Sequence, residues 1–571
     1  MVNFKEEIAK LIAEQVSDLE LSEIQEMIEV PQDSKMGDYA FPCFKLAKTL
    51  RKAPPLIAKG IAEKISGNEM FEKVEQVNAY VNMFLSKEEL VKDVVADVIE
   101  KGADYGKTNV GGGKPVIVEY SSPNIAKPFH IGHIRSTVIG NSLYKIYDAM
   151  GYNVTRINHL GDYGTQFGKM IVAYRHWGNK QDVIDEPIKT LLSYYTKFHV
   201  EVENHPELDD EARATFAKLE HGEKEEVELW QWFRDESLKE FTRVYDMLGI
   251  SYDSYAGESF YSDKMPAIVE DLKQKNLLVE SKGAMIVDLE PYGLTPAPIL
   301  KSDGSTLYIT RDIACAKYRK DTYNFYKNIY VVASQQNLHF QQLKKILELM
   351  GFEWAKDIIH VPFGLVSLEE GTMSTREGRV VFLEDVLNRA IEETREIIKE
   401  KGVATDNIEE TAKQVGIGAV VFNELSNNRI KDYVFSWKKV LDFNGETGPY
   451  VQYTYARAAS ILRNAGEEIV KKAQTAEIKP EYITGESAYE LAKLIYKLPD
   501  VVVEAGEKYE PSIVTRHIVD LAQSFNRFYH DEHILVDNEE EKTAKVAMVI
   551  AAKTAIKNGL ALLGMQAPER M

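Results

Sequence analysis

Four residues in one short segment could together bind a nucleotide: Lys127, His130, Gly132 and His133. A short apolar run precedes them, and apolar residues recur at helical spacing after them, so we expect them at the N-terminus of a helix. Such an N-terminus attracts anions through its free N–H groups and its dipole. Two imidazoles and an ammonium there, with a glycine that lets a ligand lie close, predict a site for nucleotide phosphates.

A βαβ unit is predicted to position these residues. The β-branched run 116–118 is typical of a buried parallel strand, and the segment 121–124 breaks it. A helix is predicted over 133–150, followed by a second strand at about 153–158. The glycine-containing loop 159–170 then follows a strand end, which is where open α/β sheets bind ligands.

The rest of the chain divides by its pattern of elements. The segment up to about residue 105 predicts a small α/β unit, with helical patterns at 4–18 and 44–66 and a strand at 74–85. Pro54-Pro55 is expected to end one helix and start another within the second pattern. A long, acidic and helical stretch interrupts the βαβ alternation from residue 181 onward. Strand patterns resume at 284–289, 306–310, 328–334 and 358–366, which indicates that the parallel sheet continues. From about residue 405 the pattern is almost wholly helical.

Charge and cysteine content narrow the class of protein. The 571 residues carry a net charge of −20, which argues against non-specific binding to nucleic acid but leaves room for a specific RNA bound by local basic faces. Cys43 and Cys315 form no framework, which suits a reducing cytoplasm. No segment approaches the roughly 20 apolar residues of a membrane span.

Two weaker patterns each allow two interpretations. Tyr80 and Asn82 alternate onto one side of their strand, where an aromatic ring beside an amide suits an unstacked base, or simply forms the edge of a core. In the loop 371–379, Ser374, Thr375 and Arg376 are of phosphate-binding types, although a plain basic turn has the same composition.

Several longer segments carry a resemblance to a known family. PFHIGH at 128–133 resembles the HIGH motif of class I aminoacyl-tRNA synthetases, and MSTREG at 373–378 resembles a degenerate form of their KMSKS loop. The chain further resembles arginyl-tRNA synthetases, in order and over essentially its whole length, in the segments VEYSSPNIAKPFHIGHIRST, NHLGDYGTQFGKM, YITRDIACA, VVASQQNLH, NRIKDYVFSW, GETGPYVQYTYARAASI and LLGMQAPERM.

The resemblance implies a multidomain α/β plus all-α fold. It implies an N-terminal domain over 1–105 that binds the tRNA elbow, a Rossmann-type catalytic domain over 106–400 with an insertion at about 181–280, and a helical anticodon-binding domain over 401–571. The implied enzyme activates L-arginine with ATP, accompanied by Mg²⁺, and transfers it to tRNA(Arg). A cytoplasmic monomer with no DNA or membrane partner is expected.

The resemblance also implies residue roles at the ATP end. The implied ATP-binding residues are Phe129, His130, Gly132, His133, Met373, Ser374 and Thr375. The implied catalytic residues are Lys127, His130, His133 and Arg376. The second lysine of KMSKS is missing here, and Lys127, directly before the HIGH motif, is expected to replace it by offsetting charge on the pyrophosphate-side oxygens.

Selection of arginine requires a carboxylate, because a planar guanidinium is best recognised by a fork-matched acid. By resemblance that acid is Asp312, with Tyr308 beside it, four residues earlier on the same helix face. Taken without the resemblance, Asp312 could equally be a carboxylate that favours a helix dipole. The resemblance places the α-amino end of arginine near Glu119, Ser122, Asn124 and Gln336.

The tRNA contacts rest on the resemblance alone. It implies that Tyr80 and Asn82 contact an exposed base of the D-loop, and that Tyr529 and Met571 lie near the anticodon loop. Three other functions are weighed against this one: a nucleotidyltransferase that never charges tRNA, a tRNA-binding protein without activity, and a synthetase for another amino acid. The helical C-terminal region argues against the first, and the presence together of Lys127 and Asp312 argues against the second. No set of zinc-binding residues suggests selection of cysteine, the case considered for the third.

Overall fold

The computed structural model describes residues 2–16, 19–302, 305–368, 381–400, 407–442, 445–475 and 477–571. Its helices are α1 (Phe4–Ala13), α2 (Leu21–Met27), α3 (Leu46–Leu50), α4 (Pro54–Ile65), α5 (Lys87–Lys101), α6 (Ile134–Ala149), α7 (Thr165–Trp177), α8 (Lys180–Asp185), α9 (Pro187–Glu201), α10 (Glu207–Glu220), α11 (Lys224–Leu248), α12 (Met265–Gln274), α13 (Tyr308–Tyr323), α14 (Asn337–Leu349), α15 (Leu383–Glu400), α16 (Ile408–Ser426), α17 (Trp437–Val440), α18 (Gly448–Ala465), α19 (Glu467–Thr475), α20 (Glu486–Glu507), α21 (Ser512–Asp531) and α22 (Glu539–Leu562).

Its strands are β1 (Tyr39–Pro42), β2 (Phe71–Val77), β3 (Tyr80–Leu85), β4 (Pro115–Glu119), β5 (Asn153–Ile157), β6 (Leu278–Ser281), β7 (Ala284–Val287), β8 (Ala297–Leu300), β9 (Lys327–Ala333), β10 (Ile358–Phe363), β11 (Val366–Leu368) and β12 (Tyr433–Phe435). Within the described ranges, no helix is both long enough and apolar enough to cross a bilayer.

The chain forms two compact units, each made of segments that are distant in sequence. The terminal unit comprises Met1–Tyr105, Thr454–Leu498 and Val519–Asn558. The sheet unit comprises Gly106–Tyr453, Pro499–Ile518 and Gly559–Met571.

A parallel sheet forms the centre of the sheet unit, with strand order β10–β9–β4–β5. Val118 in β4 pairs with Ile329 on one side and Arg156 on the other, and its side chain is completely buried. The predicted strand at 116–118 is therefore confirmed, and so is the helix after it, which begins as a 3₁₀ turn at Ile131–His133 and continues as α6.

Three predicted strands of this unit differ in the structure. The pattern at 284–289 forms β7, which lies in an antiparallel sheet with β6 and β8 and not in the parallel sheet. The prediction of a strand at 306–310 is wrong, because α13 begins at Tyr308 and Thr310 Oγ1 donates to the carbonyl of Ile299 (2.8 Å). That tertiary contact outweighs the β propensity of the residues. The pattern at 358–366 covers both β10 and the start of β11.

The N-terminal segment contains a three-stranded antiparallel sheet, in the order β1–β3–β2. The predicted single strand at 74–85 is wrong: it is the hairpin β2–β3, whose turn places Asn78 at φ +53°, a conformation that asparagine tolerates. The break predicted at Pro54-Pro55 is confirmed: the helical pattern at 44–66 forms α3 and α4, and Pro54 opens the second helix as its first residue.

Hydrogen bonds join the N-terminal segment to residues 489–496 within the terminal unit. The N–H of Phe4 donates to Tyr496 Oη (3.1 Å), and Tyr105 Oη donates to the carbonyl of Ile495 (2.8 Å). Tyr489 Oη donates to the carboxylate of Asp38 (2.8 Å). The N-terminal sheet and α20 are therefore joined by specific polar contacts within one unit.

Candidate active site

The candidate site lies where β4, β5 and β9 end, at the carboxyl edge of the parallel sheet. The turn after β4 places Ser121 (φ +71°) and Ser122 (φ +47°) in the left-handed region, which is uncommon for residues with a side chain. The N–H of Ser121 donates to Ser136 Oγ (2.9 Å), and Ser136 Oγ in turn donates to the carbonyl of Val331 in β9 (2.8 Å). The strained turn is therefore held by α6 and by the neighbouring strand.

The loops after β4 and β5 lie against each other. The N–H of Gly161 donates to the carbonyl of Pro123 (3.0 Å), and the N–H of Ile125 donates to the carbonyl of Gly161 (3.2 Å). A Cβ atom at position 161 would lie 2.1 Å from Asn124 Oδ1, so a larger residue there would displace the Asn124 side chain. The contact holds the exposed Asn124 at the mouth of the site.

The two histidines of the HIGH segment lie side by side, with ring centroids 4.0 Å apart. His130 Nδ1 accepts from the N–H of Gly132 (3.1 Å), so this nitrogen is unprotonated and Nε2 carries the proton. Burial lowers the pKa of His130, and burial together with the proximity of His130 lowers the pKa of His133 to about 3. Both rings are thus neutral near pH 7, and they can bind phosphate oxygens only as hydrogen-bond donors.

Aromatic packing encloses this pair. Phe129 is buried, and its ring lies 5.1 Å from His133, 5.3 Å from Phe241 and 5.5 Å from Tyr245, both of which belong to α11. Leu383 donates its N–H to the carbonyl of Phe129 (2.9 Å). The insertion and the segment after residue 380 therefore both pack against the HIGH segment.

The positive charge at this end comes from Lys127. Burial lowers the pKa of its ammonium, and the nearby Glu258 opposes that shift. Burial also raises the pKa of Glu258 to about 7, against the effect of Arg311, whose Nη1 lies 3.2 Å from Glu258 Oε2. A half-buried ammonium and a half-titrated carboxyl group thus face each other across the site.

Asp312 is half-buried in the first turns of α13 and bonds to a histidine of α14. His339 Nε2 lies 2.6 Å from Asp312 Oδ2. Burial opposes ionisation of Asp312, but the hydrogen bond and charge of His339 outweigh it and lower the pKa of the carboxyl group. Burial likewise opposes protonation of His339, and Asp312 outweighs it, so the pKa of His339 is raised.

Sequence reasoning missed four polar residues of this end: Asp162, Glu258, Arg311 and His339. Asp162 is fully buried and accepts from Ser259, both from its N–H (2.8 Å) and from its Oγ (2.9 Å). This anchors the segment that carries Glu258. No periodic pattern marks these residues. Arg311 directly precedes Asp312 in the sequence, but the other three become neighbours of Asp312 or Lys127 only through the fold.

The other residues expected to bind arginine have different surroundings. Tyr308 (65% exposed) and Gln336 face solvent, and Ser122 Oγ is buried without a hydrogen-bond partner. Glu119 is buried, and its Oε2 lies 2.5 Å from Arg319 Nη1. One oxygen of Glu119 is therefore already engaged inside the protein.

Part of the predicted ATP end cannot be described. Met373, Ser374, Thr375 and Arg376 lie outside the described residues. The described chain resumes at Val381, whose carbonyl accepts from the N–H of Ile131 (3.1 Å).

The residues expected to bind tRNA lie in both units. In the terminal unit, Tyr80 packs edge-on against the exposed Phe44 (centroids 5.5 Å apart), while Asn82 is only 3% exposed. Tyr529, in the same unit, is exposed and lies beneath the guanidinium of Arg457, 5.6 Å from its ring centroid. Met571 belongs to the sheet unit.

The described side chains were also compared with the needs of a metal ion. Within the described ranges, no three His, Cys, Asp or Glu side chains lie together in a way that could hold one.

Three family models match the chain in succession. The model described as "Arginyl tRNA synthetase N terminal domain" matches residues 4–85, "tRNA synthetases class I (R), catalytic domain" matches 94–437, and "DALR anticodon binding domain" matches 451–571.

Curated relatives and solved structures agree with these matches. The chain is 58% identical to the arginine–tRNA ligase of Halothermothrix orenii and 59% identical to that of Clostridioides difficile, over 100% of both chains in each case. The arginyl-tRNA synthetase of Thermus thermophilus superimposes with a TM-score of 0.81 at 25% identity, covering 100% of this chain and 99% of that one. The Plasmodium falciparum enzyme shares the fold, with a TM-score of 0.78 at 24% identity and coverage of 99% and 98%.

Proposed function

The chain belongs to the class I arginyl-tRNA synthetase family and is an arginine–tRNA ligase, and from this premise we propose how its residues divide the reaction. The guanidinium of arginine binds at Asp312, the triphosphate of ATP binds at the HIGH segment, and Lys127 lies between the two. The support is the common position of these residues at the carboxyl edge of the sheet, where open α/β sheets bind ligands.

At the arginine end, the carboxylate of Asp312 accepts hydrogen bonds from the guanidinium, and the exposed ring of Tyr308 covers its plane. Asn124, Gln336 and Ser122 bind the α-amino end, and the unpartnered Ser122 Oγ supports this role. Glu119 contributes negative charge from behind them, through the oxygen that Arg319 does not occupy.

At the ATP end, His130 and His133 donate hydrogen bonds to phosphate oxygens as neutral rings. Phe129 shapes the wall of the pocket, and Gly132 lets the nucleotide lie close to the backbone. Met373, Ser374, Thr375 and Arg376 are proposed to complete the pocket on the resemblance to the KMSKS loop alone.

The first step joins a carboxylate oxygen of arginine to the α-phosphorus of ATP and breaks the bond from that phosphorus to the leaving pyrophosphate. Negative charge grows on the pyrophosphate oxygens as this bond breaks, and the ammonium of Lys127 offsets it. In the second step the terminal 2′-hydroxyl of the tRNA attacks the arginyl carbonyl, and AMP leaves.

The tRNA itself is proposed to contact the protein at sites far along the chain from these residues. Tyr80 and Asn82 are assigned to a base of the D-loop, and Tyr529 and Met571 to the anticodon loop. The exposed rings of Tyr529 and of Phe44 beside Tyr80 support base stacking, whereas the burial of Asn82 limits it to a supporting role unless the surface opens.

The remaining assignments are coarser. Mg²⁺ is proposed to arrive with ATP, coordinated by phosphate oxygens and water, as is usual for this ion. A cytoplasmic monomer is proposed from the two unpaired, buried cysteines and from the family resemblance.

A double comparison of variants tests the division of the site. Asp312→Asn should raise the KM for arginine by roughly a hundred-fold or more, because it removes the buried counter-charge, and should leave the KM for ATP within a few-fold. His133→Ala should lower the rate of arginine activation and leave the KM for arginine within a few-fold. Both are measured by aminoacylation of tRNA(Arg) and by arginine-dependent pyrophosphate exchange in the presence of tRNA.

The matched control is Asp321→Asn, which removes a carboxylate from the exposed face of the same helix, where Asp321 pairs with Lys317 (2.7 Å). It should change neither constant. An Asp312→Asn variant with a near-normal KM for arginine would contradict the assignment of the guanidinium site.

A further inference from the structure

We propose that His339 is a positioning residue for arginine selection: it orients the carboxylate of Asp312 and, when protonated, competes with the substrate guanidinium for that carboxylate. This inference rests on the proposed role of Asp312 and adds a pH-dependent setting of arginine affinity to it.

The geometry of the pair carries the proposal. His339 Nε2 and Asp312 Oδ2 are 2.6 Å apart, the length of a short, charge-assisted hydrogen bond. Both side chains are partly exposed, with about a quarter of His339 and a third of Asp312 accessible, so the pair faces the open side of the site and not the core. The contact occupies Oδ2 on one side and leaves Oδ1 available to a ligand.

The two residues come from helices that begin at the same edge of the sheet unit. Asp312 lies in the first turns of α13, and His339 lies in the first turn of α14, directly after β9. A histidine on a neighbouring helix restricts the rotation of the Asp312 carboxylate. Binding of a planar guanidinium then costs less conformational entropy, because the carboxylate is already oriented.

The protonation state of His339 decides how much charge remains for the substrate. A neutral imidazole donates one hydrogen bond through Nε2 and leaves the full negative charge of Asp312 for the guanidinium. An imidazolium forms an ion pair with Asp312 and neutralises it. The raised pKa of His339 brings this exchange closer to neutral pH.

Other charged groups also act on this pair, and they must be separated from His339. The titratable and charged groups that act on Asp312 or His339 are His159, Glu258, Arg311, Cys315, Tyr330 and His360. Burial lowers the pKa of both His159 and His360, so these two rings are harder to protonate than an ordinary imidazole, and it raises the pKa of Cys315 to about 12 and that of Tyr330 well above its usual range. Glu258 is the one group of this set with a pKa near 7, and its titration would change the KM for arginine in the same direction.

The test is the pH dependence of the KM for arginine in the full-length enzyme with tRNA(Arg), between pH 6 and 8. His339→Gln keeps a donor near the position of Nε2 but cannot gain a charge. We expect its KM at pH 8 to lie within a few-fold of wild type and the rise of KM at low pH to be at least halved. His339→Ala lacks the donor, and its KM for arginine at pH 8 should be roughly ten-fold or more above wild type, with the KM for ATP unchanged.

Two further variants make the result decisive. Glu258→Gln measures the share of the pH dependence that belongs to the neighbouring carboxyl group. His176→Gln is the matched control, because His176 forms the same kind of contact with Glu211 (3.0 Å) on the exposed surface of the insertion. It should leave the KM for arginine unchanged at every pH.

The outcomes separate this inference from the proposed function. A raised KM in Asp312→Asn together with an undiminished pH dependence in His339→Gln overturns the role of His339 alone. If His339→Ala raises the KM for arginine and the KM for ATP by the same factor, the role of His339 is also overturned, because such a result indicates a purely structural role. A near-normal KM in Asp312→Asn overturns the assignment of Asp312 and the role of His339 with it.

Discussion

The two ends of the candidate site use histidine in opposite ways. At the phosphate end, burial without a carboxylate partner lowers the pKa values of His130 and His133, and the rings stay neutral. At the guanidinium end, Asp312 outweighs burial and raises the pKa of His339. The same side chain is therefore a fixed donor at one end and a titrating group at the other.

This difference shows how the site keeps its substrates apart. At the proposed ATP end, the described groups are two neutral histidines, a helix N-terminus and the ammonium of Lys127. A cation is met by carboxyl groups whose charge depends on their neighbours. Binding of ATP at the proposed phosphate end should vary little with pH, and the affinity for arginine at the proposed guanidinium end should vary strongly.

The largest expected effect comes from removing Lys127, the cation that the described part of the chain places beside the HIGH segment. Lys127→Ala should lower the rate of arginine activation by roughly a hundred-fold or more, because no neutral histidine can replace an ammonium facing the leaving pyrophosphate. The KM for arginine should stay within a few-fold, as measured by pyrophosphate exchange with tRNA present. Lys317→Ala, an exposed lysine on α13, is the control. Near-normal activation in Lys127→Ala would refute the charge assignment.

A smaller effect is expected at a surface that belongs to neither end. Tyr80→Ala should raise the KM for tRNA(Arg) by about ten-fold, since stacking on one base contributes roughly 1–3 kcal/mol. The KM values for arginine and ATP should not change. Tyr292→Ala, which removes a more exposed ring from the sheet unit, should have no effect on the KM for tRNA. An unchanged KM for tRNA in Tyr80→Ala would remove this residue from the tRNA interface.

The contrast in pH dependence can be measured in the wild-type enzyme. Between pH 8 and pH 6, the KM for arginine should rise by up to about ten-fold, because one proton on Glu258 or His339 reduces the negative charge at that end. The KM for ATP should stay constant, because His133 has a pKa of about 3 and does not titrate in this range. Parallel changes in both constants would contradict the contrast.

The smallest expected effect is on stability, where the two histidines have opposite signs. His133 has a folded pKa below its unfolded value, so the unfolded chain binds a proton that the folded chain rejects, and stability falls as pH drops below about 6.5. His339 has a raised pKa, so its contribution is fully present below about pH 6.5 and is lost as pH rises through its folded pKa.

Urea unfolding at pH 7 and pH 5 checks these signs. His133→Asn should reduce the loss of stability at pH 5 by about 1–2 kcal/mol, and His339→Gln should increase that loss. His205→Gln, an exposed histidine next to Glu207, serves as the control. If His133→Asn and His339→Gln change the loss of stability at pH 5 in the same direction, the two histidines do not have opposite pKa shifts.

Much of the catalytic strand, turn and helix could be predicted, because local patterns determine them. The β-branched run before Glu119 and the apolar spacing after His133 each indicate one kind of element, and both are confirmed. The errors fall where contacts between distant residues prevail. Tyr308 begins a helix in a segment with the pattern of a strand, and Asn78 turns the chain in the middle of a predicted strand.

The sequence by itself determined the family and pointed to the HIGH segment and Asp312 as candidate site residues, because motifs and residue types are properties of the chain order. The charge states were decided only by the tertiary structure. His130 and His133 are neutral because they are buried, and burial also brings the pKa of Glu258 to about 7. Asp312 and His339 pair because the fold brings together two separate helices. A pKa depends on the surroundings of a group in space, and the linear order of residues does not contain those distances.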